Sequence, residues 1–210
     1  IGEGGTGPNT GGMGTIAPVP GVDVALLDRI ADEIVDPILR ALADAGCPFM
    51  GCLFPGLKLT PDGDIYVLEF NARGGDPEMQ CVLALLKTDF IELVLACLDG
   101  KLGELDVEWH EEDSAVCVIM TAPGYPGEIT KGSPILGLDE LNTLEDVTAI
   151  HAGTTWKDDK LVTNGGRVIG VVARCQGLQQ ACDRAYEGVR RIHFEGEYHR
   201  NDIGVSSLNR

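Results

Sequence analysis

The stretch YVLEFNARGGDPEMQ, Tyr66 to Gln80, places Glu69, Asn71, Arg73, Asp76 and Glu78 within ten residues at the end of an apolar run. An extended backbone alternates its side chains, so Leu68 and Phe70 face one side while Glu69 and Asn71 face the other. A carboxylate and a carboxamide oxygen two residues apart are hard donors of the kind Mg²⁺ takes, with substrate phosphates and water completing its shell. If extension persists, Arg73 points the same way, where a guanidinium can stabilise charge on a phosphoryl group in transfer. The competing reading is a surface ion pair between Glu69 and Arg73 at an edge strand, which contributes little. Spacing alone leaves both open.

Asp76-Pro77-Glu78 has the pattern of a helix start, with Asp as N-cap, Pro at the first helical position and Glu in the first turn. Such a start puts a positive dipole end beside the carboxylates. Upstream, the glycine-rich loop GTGPNTGGMGTIAPVP can cradle an anion with successive backbone N–H groups, Asn9 and Thr10 serving to orient it; the alternative is a flexible linker. Met13, Ile16 and Val19 favour an ordered loop. Two substrings, Gly2–Gly7 and Gly12–Ala17, match the dinucleotide-binding glycine pattern literally. Pro8 and Pro18 follow them where a helix should open and no strand precedes them, so both matches are rejected, and no Walker A loop is present.

The elements that must position these residues follow from periodicity. Ile1 to Pro20 is glycine-rich with three prolines and reads as a loop. Apolar residues at helical spacing predict a helix over Val22–Ala45, kinked at Pro37 and stopped by Gly46. Phe49–Leu59 and Ile65–Phe70 read as strands of an antiparallel hairpin turned by Thr60–Asp64. Helices are expected at Pro77–Leu86 and Phe90–Leu98. From Gly103 to Asp113 the composition turns acidic, and a boundary there gives two domains, 1–105 and 106–210. The second half shows strands at Ala115–Thr121, Val147–His151 and Arg167–Arg174, then an amphipathic helix over Leu178–Ile192. The turns around His151 and TNGGRV read as structural, His151 as a hydrogen-bonded strand-end residue. The fold class is α+β with antiparallel sheets.

Composition limits the function. A formal charge of -17 leaves no basic stripe for nucleic acid or an anionic membrane surface. The most apolar stretch, FIELVLACL, is short and interrupted by Glu92, so no membrane span is expected. The seven cysteines contain no C-x-x-C pair and read as reduced, buried and cytosolic; the four histidines lack zinc spacing. The chain begins at Ile1 inside a glycine-rich loop and reads as a fragment of something longer.

In order, GPNTGGMG, EFNARGGDPE, GYPG, HAGT, TNGGRV and a C-terminal DIG closely resemble the glycinamide ribonucleotide synthetase family, the phosphoribosylamine-glycine ligases, over essentially the whole chain. The resemblance implies the C-terminal part of an ATP-grasp domain followed by a small α+β C-terminal domain. It implies a cytoplasmic enzyme of purine biosynthesis that uses ATP with Mg²⁺ or Mn²⁺. ATP phosphorylates the glycine carboxylate, and the amine of 5-phosphoribosylamine attacks the acyl phosphate. By the same resemblance the metal falls on Glu69 and Asn71, and Arg73 near the transferred phosphate. Pro8, Asn9, Thr10, Gly11, Gly12, Met13 and Gly14, with Asp76, bind substrate. The family's N-terminal half would precede Ile1, and the fragment alone would be inactive. Gly5 stands where the family usually has an acidic residue, and Gly74 where it has Phe or Leu, freeing the backbone beside Arg73. Another ATP-grasp carboxylate-amine ligase and a non-catalytic binding or assembly remnant remain as alternatives.

Overall fold

In the computed structural model, which describes Ile1–Leu208, the elements run β1 (Gly14–Ala17), α1 (Val24–Ile30), a π-helical turn (Ala31–Val35), α2 (Asp36–Asp44), β2 (Phe54–Leu59), β3 (Ile65–Asn71), α3 (Glu78–Leu85) and α4 (Phe90–Leu98). There follow β4 (Asp113–Thr121), α5 (Leu138–Leu141), β5 (Val147–His151), β6 (Thr154–Lys157), β7 (Lys160–Thr163), β8 (Arg167–Gln176), α6 (Leu178–Val189) and α7 (Val205–Leu208). The chain folds as two compact units, Ile1–Pro18 with Asp76–Leu86 and Trp109–Arg210, and Val19–Gly75 with Lys87–Glu108. These packing units interleave in sequence and divide the chain differently from 1–105 and 106–210.

The first unit is built on an antiparallel sheet in the order β1-β4-β8-β5. β4 is apolar without alternation because both its faces are covered. Val116, Val118 and Met120 join Ala181, Ala185 and Val189 of α6 in one cluster. Ala115, Cys117 and Ile119 join Cys81 and Leu85 of α3 in the other. On α6 the buried residues recur at helical spacing, and Gly188 lets the helix approach: a Cβ there would lie 2.7 Å from Val147 Cγ1 and 2.8 Å from Val171 Cγ1.

Three features of this unit differ from expectation. Gly14–Ala17 is a strand rather than loop, because four residues are too few to show a period and its partners, Ala115 to Val118, lie a hundred residues on. The β6–β7 hairpin was not expected either; its turn uses Asp158 and Asp159 at φ 49° and 58°, a tolerated but less usual substitute for glycine. Third, α3 starts at Glu78, not at a capping Asp76. The Asp76 carboxylate is instead occupied by Arg167 and Gln80 side chains.

The second unit contains α1, α2, the β2–β3 hairpin and α4. Pro37 does not break the predicted helix; the chain widens into the π turn immediately before it, which accommodates the missing N–H and the ring. Thr60–Asp64 turns the hairpin as expected, with Gly63 at φ 85°, and its carbonyl accepts from Arg29 Nη1 at 2.7 Å. Among the described residues of this unit no side chain is fully buried. Leu68 is 69% exposed and Ile91 65%.

All seven cysteines are free, but Cys47 and Cys52 are exposed rather than buried, since they fall in the connection between α2 and β2. Among the described residues no helix is long and apolar enough to cross a membrane.

Candidate active site

Glu69 and Asn71 do share a side of β3: Asn71 Nδ2 donates to Glu69 Oε1 at 3.1 Å. The pairing with β2 slips between Gly56 and Leu57, where Leu68 becomes an extra residue. Such a bulge re-aims the residues after it, here Glu69 and Asn71. Gly56 opposite makes room, since a Cβ on it would lie 3.3 Å from Glu69 Cγ. The pair offers an exposed carboxylate and a half-buried carboxamide, a donor set that fits one divalent cation sharing its shell with phosphate and water. Among the described residues no cluster of three or more His, Cys, Asp or Glu side chains is arranged to hold a metal.

Arg73 does not continue the extension. β3 ends at Asn71, and the exposed Arg73 guanidinium folds onto the neighbouring Gly74 carbonyl, Nη1 to O 2.9 Å.

In the first unit Pro8–Gly14 is held from an unexpected direction. Arg167, at the start of β8, donates Nη1 to the carbonyls of Gly11 (2.5 Å), Gly12 (3.4 Å) and Asp76 (2.6 Å), and Nη2 to Asp76 Oδ2 (2.7 Å). The planar fork of a guanidinium suits this convergence of carbonyls and a carboxylate. Gly11 N–H donates to Tyr125 Oη at 3.2 Å, and Gly166 leaves space for the Tyr125 ring. Gly12 is at φ 95°, with Pro77 Cδ 2.7 Å from where a Cβ would stand; only glycine meets both conditions without strain. Met13 is buried and its carbonyl accepts from Ile119 N–H at 3.0 Å. Asn9 is exposed, Thr10 half-buried, and neither side chain bonds another described residue.

Behind the loop Thr15 Oγ1 donates to the Pro77 carbonyl at 3.0 Å and lies 3.3 Å from Cys81 Sγ. Burial pushes the Cys81 thiol up to about 11 against the Thr15 hydrogen bond, and also raises Cys117. These sulfurs are neutral packing groups, not nucleophiles.

The structure thus gathers Gly11, Gly12 and Asp76 around Arg167 in one unit, and Glu69 with Asn71 in the other. Arg167 was missed from sequence because TNGGRV reads as a turn; its only signal is a lone arginine after two glycines opening an apolar strand. His151 bonds Thr154 Oγ1 at 3.2 Å, the strand-end role expected of it. An open cleft of about 740 Å³ beside Trp156, His151 and Lys160 contains none of the expected site residues.

Comparison with known proteins bears on the family of the chain. A family model described as phosphoribosylglycinamide synthetase, ATP-grasp (A) domain, matches residues 1–79, and one described as the C domain matches 115–206. The phosphoribosylamine–glycine ligase of Caldanaerobacter subterraneus subsp. tengcongensis is 50% identical over 199 residues, 95% of this chain and 46% of its own length. The trifunctional purine biosynthetic protein adenosine-3 of Gallus gallus is 43% identical over 98% of this chain and 20% of its own. The crystal structure of the Thermotoga maritima phosphoribosylamine–glycine ligase superposes with a TM-score of 0.83 at 38% identity, covering 95% of this chain and 48% of that one. N5-carboxyaminoimidazole ribonucleotide synthetase of the same organism, at 19% identity and a TM-score of 0.58, shares the fold alone. The chain spans about half the length of the bacterial ligases it matches. With an α+β fold of the ATP-grasp class, it belongs to the phosphoribosylglycinamide synthetase family.

Proposed function

We propose that this chain is the C-terminal half of a cytoplasmic ligase that joins glycine to 5-phosphoribosylamine in purine biosynthesis, giving glycinamide ribonucleotide, ADP and phosphate. The observation that carries the reading is the match, over 95% of this chain at 50% identity, to a protein named for that reaction. In the overall reaction the glycine carboxylate takes the γ-phosphoryl group of ATP, and the amine then displaces phosphate to form the amide. Residues 1–105 are read as the later part of the ATP-grasp domain and 106–210 as the C-terminal domain; the family-model edges at 79 and 115 bracket that division.

Glu69 and Asn71 would hold Mg²⁺ or Mn²⁺. When bound, the cation neutralises charge on the phosphates and on the group in transfer. Asn71 turns its carboxamide oxygen to the cation by rotating the amide now facing Glu69. Arg73 would meet the transferred phosphoryl group only after leaving the Gly74 carbonyl that it now contacts. Pro8–Gly14 presents backbone N–H groups and the side chains of Asn9 and Thr10 to glycine and phosphoribosylamine. Asp76 acts in this reading by fixing Arg167 and through it the loop.

The exposed faces of the second unit support the assignment of a missing half. Ile91, Leu95 and Leu98 form one helical stripe, each more than half exposed, and Leu68 and Phe70 of β3 are exposed as well; clustered exposed apolar side chains of this kind mark an interface. The N-terminal half of the full-length enzyme is the partner proposed for it.

The test is phosphate release dependent on both glycine and phosphoribosylamine, measured on the full-length enzyme. Glu69→Ala should abolish metal-dependent turnover; unchanged activity would remove the metal assignment. The 210-residue chain alone should show no steady turnover with all three substrates, and sustained phosphate release from it would refute the need for the other half.

A further inference from the structure

The segment immediately ahead of the glycine-rich loop is bound by residues from the far end of the chain. Asp202 accepts from Arg200 twice, Nε to Oδ1 and Nη2 to Oδ2 at 2.6 Å each, and its Oδ2 also accepts the Gly4 N–H at 2.8 Å. Asn201 donates its backbone N–H (3.1 Å) and Nδ2 (2.7 Å) to Glu3 Oε1. Tyr198 Oη reaches the Ile1 carbonyl at 3.3 Å. What is held is a closed turn: Gly2 N–H donates to the Thr6 carbonyl at 2.9 Å, and Thr6 Oγ1 to the Glu3 carbonyl at 2.9 Å.

The holding strap is itself anchored in the core. Tyr186 of α6 donates its hydroxyl to the Arg200 carbonyl at 2.8 Å and accepts the Ile203 N–H at 3.0 Å. Ile203 is buried in the same cluster as Val116 and Val171. The frame that carries Arg167 on β8 therefore also carries Asp202, and the loop from Gly7 to Gly12 hangs between two posts. Gly4 and Gly5, both at positive φ, have no atom within 4 Å of their Cβ positions. Nothing packs over these two glycines, so at their positions the order of the turn rests on the polar contacts.

We propose that Glu3, Asn201 and the Arg200–Asp202 pair form a positioning clasp that sets the height of the glycine-rich loop over the substrates it binds. The inference rests on the ligase reading, in which Pro8–Gly14 contacts glycine and phosphoribosylamine. The clasp touches no reacting atom. It acts through the loop, where a displacement of about 1 Å can cost up to about a hundredfold in rate or binding.

The discriminating pair is Glu3→Ala and Glu3→Gln in a full-length ligase carrying these 210 residues. Glu3 is exposed, so neither change threatens the core, whereas Asp202→Ala removes a half-buried charge partner and is the secondary variant. Glu3→Ala should raise the KM for glycine or phosphoribosylamine about tenfold with kcat and the KM for ATP within about twofold, and Glu3→Gln, which keeps the acceptor for Asn201, should restore the parental values. An unchanged KM in Glu3→Ala overturns the proposal, as does a change shared equally by all substrates and kcat. Amide hydrogen exchange of the 210-residue chain is read alongside. Faster exchange over Gly4–Gly12 with β4 and β8 unaltered supports the clasp, and unaltered loop exchange overturns it. Should the parent enzyme lack ligase activity, the functional reading fails and exchange alone decides the clasp.

Discussion

Arg167 reaches across 156 residues of sequence to donate to the carbonyl of Gly11, and with the same guanidinium holds Asp76. One side chain thereby joins the glycine-rich loop to the start of α3. Lysine carries the charge but only a single ammonium, which cannot meet the Gly11 and Asp76 oxygens in one plane. Arg167→Lys is expected to lower kcat/KM of the full-length enzyme by about tenfold or more, since loss of a charge-assisted hydrogen bond costs about 1.5–3 kcal/mol. Steady-state kinetics checks this, and parental kcat/KM in the lysine variant would remove the fork from the account.

Gly188 is required by packing, not by backbone conformation. Gly188→Ala should destabilise the chain by about 1–3 kcal/mol, the usual cost of inserting a methyl group into a filled core. The urea midpoint should fall with the slope unchanged; an unmoved midpoint would mean that α6 slides away from Val147 and Val171 at no cost.

The Arg200 guanidinium beside Asp202 holds its carboxyl down at about 2, below the usual 3.8, against the opposing effect of burial. A carboxyl depressed by folding contributes stability that is fully present above its unfolded value and lost as pH falls through the folded one. The window is therefore pH 4 to 2, and the contribution lost across it is about 2 kcal/mol. Acid titration of unfolding should show a limb over that range, and Asp202→Asn should flatten it; an identical limb in the variant would assign the acid sensitivity elsewhere.

The second unit, with no fully buried side chain, should open first. Limited proteolysis of the 210-residue chain is expected to cut within 19–75 or 87–108 before any cut in β4 or β8. The same bonds should resist cleavage in the full-length enzyme. Early cuts inside β4 would contradict the division of stability.

What could be read from sequence was local. Phe90–Leu98 and Val147–His151 have the bounds expected of them, the first because Asp89 caps a dense apolar run and accepts Ile91 N–H at 2.7 Å. The shared side of Glu69 and Asn71 followed from alternation, although the bulge before them left no mark in residue type. What stayed hidden depends on distant partners. Gly14–Ala17 becomes a strand because Ala115–Val118 lies alongside it. Asp76 looks like a cap until Arg167 takes its carboxylate. The exposed Cys47 and Cys52 belong to surface that resembles core in composition, and no local pattern distinguishes the two.

The interleaving of the two units has a consequence for the order of synthesis. β1 leaves the ribosome about a hundred residues ahead of its partner β4, so at about 5–20 residues per second the glycine-rich loop waits roughly 5–20 s before that partner strand can receive it. Its second post arrives later still, with Asp202. During that interval the segment survives by being poor in large apolar side chains, and a composition that first suggested a linker also keeps a nascent chain from sticking to the wrong strand.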